Sequence, residues 1–308
     1  MSHDIFAKVP AQPTVAFLGA SIESAQVLRA LIDDGIRVSV AVTKEPKRRS
    51  RGSGATSNPV EVVANDAGID VSYELEGLLS KSFDLAVVVA FGVIIPSNYI
   101  EQWPFLNIHY SLLPRWRGAA PVERAILAGD ATTGVALMEI VEALDAGRVF
   151  DLVEVSIEDH ENATSLRQRL TEVGIERLLE ALHVGGDFFK NAVEQVGDVT
   201  YAKKIKKDEF RITGTTLASE VLRFERVSRP FGVSPDLGRI SIFDCSLVDV
   251  VDLGGFEGDS IPVGVLRGDI LRLSDGWVRV GSLQVEGKRA MSVAEFRRGN
   301  RSDVYFVS

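Results

Sequence analysis

A single cysteine, Cys245, among 308 residues removes an internal disulfide or a thiolate metal cluster from consideration. It sits in the run Ile240 to Cys245, where a small buried hydrophobe is the expected role rather than a nucleophile. Histidine is also scarce. His3, His109, His160 and His183 have no ligand-like spacing, so no metal is expected. Long apolar runs are missing as well. No stretch approaches the about 20 residues that a membrane helix requires, and Met1 to Lys8 lacks the basic and apolar regions of a signal peptide. The chain is therefore expected in the cytoplasm, away from membranes. Only Gly19 is present of a possible G-x-G-x-x-G, and no G-x-x-x-x-G-K-[ST] occurs, which leaves neither dinucleotide nor P-loop binding supported. Excess positive charge is absent too: the net charge of −9 argues against a globally basic nucleic-acid binder, and DNA is not an expected partner.

What is present is uneven along the chain. The length suits two domains. Residues 1–202 carry 28 acidic and 17 basic side chains, whereas residues 203–308 carry 15 and 17. An acidic first part thus precedes a mildly basic second part. Apolar runs at Thr14–Gly19, Arg37–Thr43 and Leu85–Ala90 predict buried strands. Helical spacing at Glu23–Ile32 and Pro59–Ala67 alternates with them. That alternation predicts an α/β fold with a doubly wound, mostly parallel, Rossmann-like sheet. A further strand over Val135–Ile140 and an amphipathic helix over Asn162–Leu182 follow. From Gly238 onward the runs are short and β-rich: Arg239–Phe243, Gly264–Arg267, Ile270–Leu273, Trp277–Gly281 and Leu283–Val285. These predict a small C-terminal barrel. The divisions expected are 1–196, a basic linker over 197–212, and 213–308.

The chemistry concentrates in Asn107 to Pro121, N-I-H-Y-S-L-L-P-R-W-R-G-A-A-P. Strand side chains alternate, so Asn107 and His109 share one face while Leu106 and Ile108 share the other. Strand ends are where open α/β sheets keep their chemistry. Taken singly, Asn is most often a turn cap and His a satisfied core residue. Asp145, in Leu144-Asp-Ala-Gly147, reads alone as a turn residue. Lys44 to Gly54 packs basic residues between Gly and Ser, which suits either a solvated charge run or a grip on phosphate.

Taken together, Asn107, His109 and the following S-L-L-P-R-W-R-G closely resemble the signature of the 10-formyltetrahydrofolate-dependent formyltransferases, in particular the branch acting on methionyl-tRNA. The resemblance spans roughly residues 14 to 301. Val89 to Pro96, V-A-F-G-V-I-I-P, is similar to the family's V-A-Y-G-L-I-L-P. Gly129 to Val135 and Leu144 to Gly147 match its A-G-D-x-x-T-G-V and L-D-x-G. Thr200 to Ile205 matches T-Y-A-x-K-I, and Gln284 to Gly299 its tail. The resemblance implies a catalytic set of Asn107, His109 and Asp145. It implies contacts to 10-formyltetrahydrofolate from Phe91, Gly92, Val93, Ile94, Ser111, Leu112, Leu113 and Pro114. It also implies initiator methionyl-tRNA as partner, held by Lys47, Arg48, Arg49, Arg51, Lys203, Lys204, Lys206 and Lys207, with the C-terminal barrel OB-like and tRNA-binding.

Formyl transfer is acyl transfer. An Asn107 amide can donate to the oxyanion, His109 can move a proton near neutral pH, and Asp145 can orient the imidazole and favour its charged form. No metal or covalent enzyme intermediate is required. Glycinamide ribonucleotide and sugar-nucleotide formyltransferases and formyltetrahydrofolate hydrolase would share these residues. The basic connector and the E-G-K-R-A-M-S tail favour tRNA among them. Departures from the family pattern are Ala20-Ser21 for Thr-Pro, Arg148 for Asp, and Ser53-Gly54 for two lysines.

Overall fold

Five residues, Leu85–Val89, form a strand whose every side chain is buried, as a continuous Leu/Ala/Val run requires when both faces of a sheet are covered. The computed structural model describes residues 3–46, 58–249 and 261–306. Its contacts divide the chain into two units. One comprises Met1–Ala125, Ala131–Asp159 and Thr164–Lys204; the other comprises Ile126–Asp130, His160–Ala163 and Ile205–Ser308.

In the first unit a short helix α1 (His3–Phe6) precedes β1 (Val15–Gly19), α2 (Ile22–Asp33), β2 (Val38–Val42), α3 (Pro59–Asp66), β3 (Val71–Ser72) and β4 (Leu85–Val89). Then come α4 (Ser97–Ile100), β5 (Phe105–His109), β6 (Arg117–Gly118), α5 (Pro121–Ala128), β7 (Thr132–Glu139), β8 (Val149–Ser156), α6 (Ala163–Val184), α7 (Gly186–Phe189) and β9 (Tyr201–Ala202). The sheet order is β3-β2-β1-β4-β5-β7-β8. Strands β1 to β5 are mutually parallel, so the order reverses between β1 and β4, the crevice where such sheets bind ligands. The predicted doubly wound sheet is present.

Two features lay beyond the sequence reading. β7 pairs with β5 antiparallel, His109 opposite Ala136 and Leu106 opposite Glu139, and β8, which periodicity missed, returns antiparallel along β7. Its sequence, V-F-D-L-V-E-V-S, sets apolar residues side by side at Val149-Phe150 and Leu152-Val153, which is why alternation did not reveal it. The N-terminal segment, for which no element was read, is also packed: the Phe6 ring lies 4.6 Å from Phe150 and 5.3 Å from Phe189.

Local choices explain where elements begin. Ser21 caps α2, accepting from the Ser24 N–H at 3.1 Å. The Ser24 hydroxyl, fully buried, donates to the Val89 carbonyl at 2.6 Å. This joins the helix start to the carboxyl end of β4, and the Ala20-Ser21 departure is thereby a working N-cap. Asn58 caps α3, accepting from Val60 N–H at 3.0 Å and donating to the Lys44 carbonyl at 3.1 Å.

The second unit is a nearly closed antiparallel sheet. After α8 (Ala218–Val227) it runs β10 (Phe231–Ser234), β11 (Gly238–Val248), β12 (Val265–Arg267), β13 (Ile270–Arg272), β14 (Trp277–Val285), β15 (Met291–Ser292), α9 (Val293–Gly299) and β16 (Val304–Tyr305). Its order is β10-β11-β14-β13-β12-β16, with β15 on β14. The runs read as separate strands at Trp277–Gly281 and Leu283–Val285 are one strand, because residues on both sides of Gly281 pair with β11, although the buried positions shift phase there, from Val278 and Val280 to Leu283 and Val285. Ile240, Ile242, Leu266, Val278, Leu283 and Phe296 fill the interior. Cys245 is half-buried against that core. Burial, then the neighbouring Glu225 carboxylate, push its thiol up, which disfavours the thiolate that a nucleophile needs.

Tyr110, just after β5, is buried, and its hydroxyl lies 3.0 Å from the Thr171 hydroxyl on α6. Burial pushes its phenol up to about 12, the Thr171 bond offsetting part of the shift. An unfolded tyrosine ionises near pH 10, so above about pH 10 the unfolded state loses a proton that the folded state keeps. Stability from this group is therefore complete below pH 10 and falls as pH rises toward 12, by roughly 1–3 kcal/mol in all. Urea midpoints at pH 9 and 11 should fall further in the native protein than in Tyr110→Phe. Equal slopes in the two proteins would refute this account.

Candidate functional site

Asn107 and His109 lie on β5 with alternate residues Leu106 and Ile108 turned to the opposite, buried side. His109 is the last residue of the strand and is 5% exposed. Its Nε2 lies 2.9 Å from the Trp116 carbonyl oxygen. A carbonyl only accepts, so Nε2 carries a hydrogen and the exchangeable proton belongs to Nδ1. Nδ1 faces Asp145, whose Oδ2 is 3.8 Å away. That is too long for a hydrogen bond. Asn107 is half-buried, and its carboxamide makes no hydrogen bond among the described residues.

Asp145 arrives by an indirect route. Because β7 runs antiparallel to β5, it ends at Glu139 beside Leu106, the edge opposite His109. The connection to β8 must then fold back along the face that carries Asn107 and His109. Three contacts hold it there. Glu139 N–H donates to the Arg148 carbonyl at 2.9 Å. Gly147 packs so closely that a Cβ would run into the Glu139 carbonyl oxygen. The Arg148 Nε also donates to the Glu139 carboxylate at 2.9 Å, with both side chains largely buried. Arg148, a departure from the family pattern, is thus half of an internal ion pair at the base of this turn. Asp145 itself has φ 46, a left-handed conformation that Asp tolerates better than most residues.

The Asp145 carboxylate is fixed from the other side by the loop after β5. The Gly118 N–H donates to Oδ2 at 2.7 Å. That loop is itself held by the connector. The Trp116 N–H donates to the Thr200 hydroxyl at 2.8 Å and the Arg117 N–H to the Thr200 carbonyl at 2.9 Å, while β6 pairs parallel with β9. Gly118 has φ 122, and a Cβ there would lie 2.9 Å from the Ala202 carbonyl oxygen. Only glycine allows β9 this close. The Thr200-Tyr201-Ala202 segment, read as connector, is therefore part of the scaffold of the site.

The remaining candidates divide. Phe91, Gly92, Val93 and Ile94 leave the carboxyl end of β4, beside that of β5. Phe91 is buried, while Val93 and Ile94 are 46% and 87% exposed. Ser111 is fully buried and donates to the Arg115 carbonyl at 2.6 Å. Leu113 packs with Ala136, Met138 and Val149. Pro114 is buried and Leu112 half-buried. Lys203, Lys204, Lys206 and Lys207 are exposed. Lys47, Arg48, Arg49 and Arg51 lie outside the described residues.

Sequence reasoning missed Gln195. Its carboxamide accepts from Arg117 Nε and Nη2 at 3.0 and 2.7 Å and donates to the Asp145 and Gly147 carbonyls at 2.9 and 2.8 Å. A lone Gln in a polar stretch carries no periodic or motif signal.

With this geometry in place, comparison with known proteins is specific. The model of the family described as formyl transferase matches residues 14–182. A methionyl-tRNA formyltransferase of Phenylobacterium zucineum is 35% identical over 304 residues, covering 92% of this chain and 96% of that protein. One from a Caulobacter species is 36% identical over 303 residues with the same coverage. Among solved structures, the N-formyltransferase of Helicobacter canadensis, in complex with folinic acid and dTDP-3-aminofucose, superposes with a TM-score of 0.64 at 15% identity, over 87% of this chain and 98% of that one.

The Glu139 and Arg148 pair yields a stability test. Arg148→Met should leave a buried carboxylate unpaired and cost about 3–5 kcal/mol. Adding Glu139→Gln should recover much of that loss in chemical denaturation. A double variant no more stable than the single would show that the pair does not carry the turn.

Proposed function

Because the chain belongs to the formyl transferase family and matches methionyl-tRNA formyltransferases across more than nine-tenths of its length, we propose that it transfers the formyl group of 10-formyltetrahydrofolate to the α-amino group of initiator methionyl-tRNA. The observation that carries this reading is coverage. The alignment at 35% identity covers 92% of this chain, well beyond the 14–182 segment matched by the family model. The fold likeness to the Helicobacter canadensis N-formyltransferase, at 15% identity, speaks to architecture alone.

The residues support a division of labour. The neutral His109 Nδ1 accepts a proton as the amine nitrogen bonds to the formyl carbon. The imidazolium then returns it to the folate nitrogen as the old C–N bond breaks. Asn107, whose carboxamide is not committed elsewhere among the described residues, donates its N–H to the oxyanion between those two events. Asp145 faces Nδ1 at 3.8 Å and favours the charged intermediate state of the ring. The exposed apolar side chains Val93 and Ile94, on the loop leaving β4, offer surface that a planar pterin could cover. Exposed Lys203, Lys204, Lys206 and Lys207, with Lys47, Arg48, Arg49 and Arg51, supply charge for tRNA phosphates within a chain of net charge −9.

Incubation with 10-formyltetrahydrofolate and, separately, methionyl-tRNA, free methionine and a UDP-amino sugar tests the assignment directly. Formylation is expected on methionyl-tRNA alone. Formylation of the sugar in its place would overturn the substrate. Asn107→Ala and His109→Ala should each lower the rate by about 10²–10⁴ while the protein stays folded; wild-type turnover in either would remove that residue from the chemistry. Replacing Lys203, Lys204, Lys206 and Lys207 by Gln should flatten the log–log salt dependence of tRNA binding by roughly 0.7–0.9 per lost phosphate contact. Unchanged salt slopes would exclude those lysines from the tRNA surface.

A further inference from the structure

We propose that Gln195 is a positioning residue for the transfer, setting where the Asp145 carboxylate stands relative to His109. The inference rests on the formyl-transfer reading above and adds a residue to it.

The argument starts from what the carboxamide touches. Its oxygen accepts two bonds from the Arg117 guanidinium, at 3.0 and 2.7 Å. Its nitrogen donates to the carbonyls of Asp145 and Gly147, at 2.9 and 2.8 Å. Both donors and both acceptor positions of one side chain are therefore used, and they join two segments that reach the site from different parts of the chain. One is the loop after β5, which supplies the Gly118 N–H to Asp145 and the Trp116 carbonyl to His109. The other is the turn that carries Asp145.

The turn requires such a hold. Asp145 adopts φ 46, a strained conformation for a non-glycine residue that persists when its surroundings fix it. Gln195 bonds the carbonyls on either side of Ala146, clamping the backbone that aims the carboxylate. Gln195 is itself anchored. Two residues earlier, Val193 exchanges backbone bonds with Val149 at the start of β8, at 2.8 and 2.9 Å. Farther along the same segment, Thr200 and Ala202 bond the loop. A side chain on a segment fixed at both ends can act as a rigid spacer.

Positioning of this kind shows in kcat rather than in folate binding, because displacements near 1 Å of a group that supports catalysis can cost about 10²-fold. Gln195→Met keeps the length and removes all four bonds. Gln195→Glu keeps acceptors for Arg117 but replaces the donor by a carboxylate that faces two carbonyls. Since the turn is what carries Asp145, both variants should lower kcat by about 10–100-fold, with KM for 10-formyltetrahydrofolate within about twofold. Both should move the ¹⁵N signals of the His109 imidazole in the direction that Asp145→Asn moves them. Thermal melting identifies a variant that fails to fold, and the other then decides.

Unchanged kcat and imidazole signals in a folded variant overturn the proposal. So does a rise in tRNA KM at constant kcat, or full activity in Gln195→Glu, since either would make Gln195 a support for Arg117 alone. Failure of Asp145→Asn to move the imidazole signals would overturn instead the role given to Asp145, and this proposal with it. The outcomes are thus separable.

Discussion

The Gly118 N–H bond to the Asp145 carboxylate, 2.7 Å long, is the contact on which the site depends. It joins a loop leaving the carboxyl edge of the parallel strands to a turn launched from their amino edge. It is the direct bond on the carboxylate itself, whose distance to the imidazole, 3.8 Å, is too great for a bond of their own. Charge interaction at that range is useful only where geometry is held by other groups.

Much of the surrounding structure follows from keeping those two segments in register. The antiparallel β7 is needed to bring the chain to the amino edge, and Gly147 is needed to let the returning backbone pass Glu139 closely. The Arg148 and Glu139 pair closes the base of the turn inside the protein, where an unmatched charge would be costly. Gly118 plays the corresponding part for the loop, admitting Ala202 to contact distance. A chain that departs from its family at Arg148 therefore does so with a partner present, and the departure at Ala20-Ser21 leaves a capped helix tied to β4.

Charge is distributed along the chain in keeping with the proposed substrates. The acidic first part contains the proposed catalytic residues, and the four lysines at 203–207 fall where the sequence turns basic. A polyanion gripped mainly by local clusters needs no net positive charge, since screening confines each contact to about a Debye length.

By itself the sequence determined the elements whose signal is local. Buried parallel strands show as unbroken apolar runs, amphipathic helices as a 3.6-residue period, and the barrel as short strands between turn residues. It also placed Asn107 and His109, the proposed catalytic pair, on one face, because they are two apart on one strand and their shared face follows from alternation alone. Motif resemblance added Asp145, which no local pattern distinguishes from an ordinary turn residue. Tertiary structure alone decided how Asp145 reaches His109, since strand direction for β7 depends on long-range pairing that a sequence window does not contain. It alone made Thr200 to Ala202 part of the site's scaffold, and it alone revealed Gln195. A side chain that works by bridging distant backbone carbonyls has no periodicity, no motif and no neighbours in sequence to announce it.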